Sequence, residues 1–226
     1  MSETDSFIDE VTEEVRRDKL FQLYRRYGWI AGLVVVAVVA GASWVEYRKY
    51  ADTQAAQAMG DAVLTALQPS EAAARADNLA ALEPGRPEAG VFLDMLEAAA
   101  RAEASDRDAA LLLLDKIADA PNAPQTYRQL AILKGVMLRG ADQDRAERLA
   151  ILDGLMTPGN PFRVLAMEQK ALALYEFGNS VEAIALLQAI LDEPGATQGL
   201  LQRVQQLIVA LGGELPASNG AVTDQG

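Results

Sequence analysis

The 226-residue chain contains neither cysteine nor histidine. That removes a thiolate nucleophile, an imidazole base, a zinc finger and thiolate or haem-type ligation. It also removes a disulfide framework, though it leaves an oxidising compartment open. Positive charge is scarce as well, with 20 Lys and Arg against 32 Asp and Glu and a net charge of −12. A phosphate backbone calls for a basic face, so nucleic acid is not an expected partner. Aromatic residues make up only 6% of the chain, while 41 positions are alanine and half of all residues are apolar. This is the composition of an all-α protein with thin, closely packed helix interfaces. No S-x-x-K, G-x-S-x-G or Gly-rich phosphate loop occurs. The acidic groups Asp9, Glu10, Glu13 and Glu14, and Asp106 with Asp108, read as solvated helix faces or N-terminal caps. We therefore expect no enzyme, no cofactor and no metal site.

What the chain does have is one long apolar run. From Tyr27 to Val45 there are 19 residues without a charge. As a helix they would span roughly 28 Å, close to the hydrocarbon thickness of a bilayer. Trp29 and Trp44, the two tryptophans of the chain, stand at its ends, where amphipathic rings prefer the membrane interface. Arg25 and Arg26 bound it on one side, and Glu46, Arg48 and Lys49 on the other. We assign residues 28–46 as a transmembrane anchor, with Arg25, Arg26, Trp29 and Trp44 at its interfaces. Five cations precede the span and two follow it closely, which favours a cytoplasmic N-terminus. Residues 46–226, with 15 basic and 25 acidic side chains, would then lie on the far side. Ala40-Gly41-Ala42 resembles a signal-peptide cleavage site. The preceding segment, however, is long and holds seven acids, unlike an ordinary short basic leader. Before the anchor, residues 1–27 form a cytoplasmic tail in which Phe7, Ile8, Val11 and Val15 recur at helical spacing. They suit an interfacial helix or a docking helix for a membrane partner.

The second signal is a ladder of prolines. Pro84, Pro121, Pro158 and Pro194 are spaced by 37, 37 and 36 residues, and Pro87, Pro124 and Pro161 by 37 and 37. The first proline of each pair ends one helix and the second opens the next. Eleven residues before the first proline stand Ala73, Ala110, Glu147 and Ala183; twenty-three before it stand Asp61, Ala98, Gly135 and Ala171. Seven before it stand Asp77, Leu114, Ile151 and Leu187. Small residues thus recur where helices would cross closely, and large apolar ones where a neighbour is filled. Gln68, Ser105, Asp142 and Gly178, sixteen before it, mark the turn within each unit. Each unit reads as helix, turn, helix, proline, with the first unit fitting worst. Leu200–Leu211 supplies one more amphipathic helix, stopped by Gly212-Gly213, as a terminal cap would be. The polar, small-residue segment 214–226 is expected to be disordered.

The spacing of small residues, followed by apolar residues and a closing proline, resembles tetratricopeptide repeats. Ala171–Gly178, Glu182-Ala183-Ile184, Leu187 and Pro194 carry the likeness best. The expected fold is a single transmembrane helix followed, over residues 47–213, by a tetratricopeptide-like α-solenoid of about four helix pairs plus a capping helix. The whole plan is similar to the YfgM-like ancillary subunits of the Sec translocon. That resemblance implies a bacterial inner-membrane protein with its repeat domain in the periplasm. It further implies association with SecYEG and with periplasmic chaperones of the PpiD type, where client polypeptides emerge. An alternative is a tethered scaffold for cell-envelope or cell-division assembly. The first helix of each pair would line a concave binding face. Counting back from the prolines places Phe92, Met95, Ile132, Val136, Arg139, Leu165, Leu172 and Tyr175 there, with Ile132, Val136 and Leu165 individually expected to pack helix on helix sooner than to meet a ligand.

Overall fold

The computed structural model describes residues 3–215, with side chains from Arg25 onward except at positions 27, 31, 87 and 88. The described residues are helical, with no strand among them. The expected disorder of the tail falls largely outside them, as do the side chains of Phe7, Ile8, Val11, Val15 and the first acidic cluster.

By its contacts the chain divides into residues 1–60 and 61–226. The first unit is a single helix, most of α1 (Glu3–Ala66). It runs unbroken through Ala40–Ala42. Its stretch from Gly28 is the one helical segment among the described residues long and apolar enough to cross a membrane, and nothing in the structure buries it. Val34, Val35, Val36, Val38 and Val39 all stand exposed. Such a continuous apolar surface is costly in water and neutral in hydrocarbon. At one end the Arg48 guanidinium lies 5.3 Å from the centre of the Trp44 ring, and the Trp44 and Tyr47 rings are 6.4 Å apart.

The second unit begins with the last residues of α1 and continues through α2 (Ala72–Ala80), α3 (Pro87–Glu103), α4 (Arg107–Asp119) and α5 (Gln125–Arg139). Then come a 3₁₀ turn (Gly140–Asp142), α6 (Arg145–Leu155), α7 (Arg163–Glu176), α8 (Ser180–Ile190) and α9 (Gln198–Ala210). From α2 onward each helix packs on the next in the chain. Pro84 lies between α2 and α3, which Pro87 opens; the P-x-x-P segments 121–124 and 158–161 lie between α4 and α5 and between α6 and α7, and Pro194 lies between α8 and α9. Proline at the start of α3 and at the cap of α5 costs no helical hydrogen bond, because the first amides of a helix have no partner within it.

The turns inside the pairs use left-handed residues. Gly178 (φ 83°) ends α7, and Asn179 N–H donates to Leu174 O at 2.8 Å. Ser105 (φ 64°) holds the matching place after α3, and Asp106 N–H donates to Arg101 O at 2.9 Å. Both are closed by the same wide hydrogen bond across the helix end. Asp106 then caps α4, accepting from Ala109 N–H at 3.4 Å, and Asp144 caps α6 from Ala146 and Glu147 N–H at 2.9 and 3.1 Å.

Small residues sit at the expected crossings in the later units: Ala98, Ala110, Gly135, Ala171 and Ala183 are all buried. In the first unit Asp61 and Ala73 are exposed, and Ala76 and Leu79 fill the interior instead. In α6 the expected Glu147 and Ile151 give way to Arg148 and Leu152. The link from α5 to α6 occupies residues 140–144, against 104–106 between α3 and α4. That longer link sets α6 one residue late, and one residue is a rotation of about 100°.

Ion pairs between helices accompany the apolar contacts. Arg75 pairs with Glu103, Lys116 with Asp94, Lys170 with Asp153, and Arg148 with Glu176. Arg107 on α4 donates to Leu138 O at 2.9 Å and Arg139 O at 2.6 Å, and pairs with Asp142. It thereby satisfies carbonyls that the end of α5 leaves open.

Candidate functional site

One open apolar surface of the second unit lies along α3, α5, α7 and α9. Two adjoining hollows make it up. One, of about 250 Å³, is lined by Ala98, Ala99 and Ala102 of α3, Lys134, Met137 and Leu138 of α5, and Leu114 of α4 beneath. The other, of about 350 Å³, lies among Leu133 and Met137 of α5, Leu165, Glu168, Gln169 and Leu172 of α7, and Arg203 and Leu207 of α9. Met137 borders both and is 52% exposed. The two hollows therefore form one groove, with a flexible thioether side chain at its middle.

Local sequence explains the depth. Ala98 and Ala102 lie four residues apart on α3, so that edge carries methyl groups where longer side chains would close the space. On α5 the buried face is Ala131, Leu133, Gly135 and Val136. Lys134 and Met137, three apart, are then left outward.

Charges in the groove are few and unequal. Glu168 is 4% exposed and takes two hydrogen bonds from Arg203, Nε to Oε1 at 2.6 Å and Nη2 to Oε2 at 2.8 Å. The hydrogen bond to Glu168 raises the Arg203 pKa above its ordinary value, and the guanidinium answers the charge of the acid it binds. Lys134 is exposed and has no hydrogen bond or ion pair among the described residues.

The residues picked from the proline spacing do not stay together. Leu165 and Leu172 line the groove. Met95 and Val136 are interior: Met95 packs with Ala98, Leu114 and Ile117, and Val136 with Leu133 and Leu152. Ile132 is half-buried against that second cluster. Phe92 and Tyr175 are exposed on α3 and α7 but border neither hollow. Arg139 is engaged elsewhere, its Nη2 lying 2.6 Å from both carboxylate oxygens of Asp115 on α4. Counting missed Lys134, Met137, Glu168 and Arg203. Gly135 was the available signal for Met137, since two residues on is a turn of about 200° away from the packed side of α5.

At the membrane-capable helix, Arg25, Arg26, Trp29 and Trp44 are exposed, with Trp29 and Trp44 flanking the valine run. Among the described residues no three acidic side chains gather as a metal site would require. Comparison with family models, curated proteins and solved structures finds no match for this chain.

Proposed function

We propose that this is a membrane-anchored protein-interaction module whose helix pairs form a short tetratricopeptide-like solenoid. In this reading α3, α5, α7 and α9 line its concave face, and that face holds extended, apolar stretches of polypeptide. The observation that carries the reading is the groove itself: a continuous apolar surface running over the first helix of successive pairs, centred on Met137. A solenoid face of this kind offers many side-chain contacts without enclosing a substrate, which suits binding more than chemistry.

The cation bias around the apolar run favours N-terminus in the cytoplasm and the helical unit beyond the membrane. The bacterial inner membrane, the SecYEG channel and PpiD-type chaperones enter through the resemblance of the whole plan to YfgM-like subunits. The work proposed is to receive unfolded segments as they leave the channel and pass them to soluble chaperones.

Site-directed photocrosslinking from position 137 in intact cells tests this directly. Adducts with newly exported chains and with translocon subunits are expected. Crosslinks confined to one folded envelope or division protein, with no exported chain among them, would replace this reading by the scaffold alternative.

A further inference from the structure

We infer that the groove selects an apolar segment carrying an acidic side chain, whose carboxylate is met by Lys134. This deepens the reading of the groove as a polypeptide site and rests on it.

The inference follows from the charges the groove presents. The buried carboxylate of Glu168 is held by both arms of the Arg203 guanidinium, so neither offers a net charge to a ligand. Arg139, which the count from the prolines assigned to the binding face, is spent on Asp115. Lys134 alone among the groove's charged side chains lacks a partner among the described residues. Lys134 lines the hollow that Ala98, Ala99 and Ala102 leave open, as does Met137. An apolar side chain entering that hollow, with an Asp or Glu beside it, would meet both features at once. A basic segment would find no free carboxylate there and would face the Lys134 ammonium. The acidic balance of residues 46–226, 25 acidic against 15 basic side chains, limits the opposite extreme, since it would repel a polyacidic segment. One carboxylate among apolar residues is the composition that fits.

The test uses the full chain in lipid nanodiscs and short fluorescent peptides with blocked ends. Each peptide is built from Leu, Val, Ala and Gly around one variable position, Asp, Asn or Lys. Anisotropy is read against empty nanodiscs. The Asp peptide is expected to bind about threefold more tightly than the Asn peptide, the range of an exposed ion pair. The Lys peptide should bind weakest. The preference for Asp should vanish in Lys134→Gln and shrink as salt rises. If all three peptides bind equally and Met137→Glu weakens them all, the charge selection is overturned while the groove stands. If none binds, or Met137→Glu changes nothing, the groove reading falls and takes this inference with it.

Discussion

Glu168 and Arg203 tie α7 to α9 through a two-pronged ion pair in which the acid is buried and the base is half exposed. The asymmetry decides what each substitution costs. Removing Arg203 leaves a carboxylate in the interior without its donors, whereas removing Glu168 leaves a cation that can turn to water. Arg203→Met should lower the unfolding free energy by about 2 kcal/mol, and Glu168→Met by clearly less. Denaturant titrations of the two variants check the order. Equal losses would mean that the pair acts only as a surface contact.

Ser105 stands in the left-handed region at φ 64°, in the position that Gly178 fills after α7. A residue with a Cβ pays roughly 1 kcal/mol or more for that conformation, and glycine does not. Ser105→Gly should therefore stabilise the helical unit by about 1 kcal/mol. The reverse change, Gly178→Ala, should destabilise it by a similar or larger amount. A rise in the denaturation midpoint for the first and a fall for the second is the expected pair of results.

The helix breaks were legible because proline acts on the backbone directly: it cannot continue a helix, wherever the side chains point. Faces were less legible. A helix turns by about 100° per residue, so a fixed count from a proline names the right face only while every link has the same length. Between α3 and α4 the link holds, and Ala110 and Leu114 are buried as the count requires. After α5 the 3₁₀ turn intervenes and Leu152, not Ile151, reaches the interior. On α5 the count holds for Gly135, but the buried face is broad enough to take in Val136 as well, and the open residue is Met137. Arg139 was misplaced for another reason, because its partner Asp115 lies on a different helix and no spacing within α5 reveals it.

That shift in α6 can be measured. Leu152 is fully buried among Leu133, Val136 and Leu155, while Ile151 only flanks the same cluster. Leu152→Ala should cost about 3 kcal/mol, through lost burial and the cavity left behind. Ile151→Ala should cost about 1 kcal/mol, because its surroundings are partly solvent. If Ile151 proved the costlier of the two, the one-residue offset of α6 would be wrong.

Arg163 and Glu193 connect the start of α7 to the turn after α8, with Nη2 to Oε1 at 2.7 Å. The hydrogen bond from Arg163 holds the Glu193 carboxyl below its ordinary value, and the same bond raises Arg163. A carboxylate whose folded pKa is depressed binds its proton more weakly when folded than when unfolded. Its contribution is thus complete above the ordinary carboxylate range and fades as pH falls toward the folded value. Unfolding followed against pH should show stability declining on acidification through and below that range. Glu193→Gln should make the decline shallower, with little further change near neutrality in the slope itself. An unchanged acid limb in the variant would show that Glu193 contributes nothing to it.

The membrane assignment turns on the middle of the apolar run, where a charge cannot reach either interface. Val36 is the central residue of the uncharged stretch 27–45 and is exposed on the helix. An arginine there costs about 3 kcal/mol on insertion scales for the centre of a span. At either end the same residue reaches the headgroups by extending its side chain. Val36→Arg should therefore reduce the membrane-integrated fraction, read as resistance to alkaline extraction. Tyr27→Arg, beside Arg25 and Arg26, should leave that fraction unchanged. Full retention of Val36→Arg in the bilayer would mean that neighbouring protein shelters this face, and that the run is held by a partner more than by lipid.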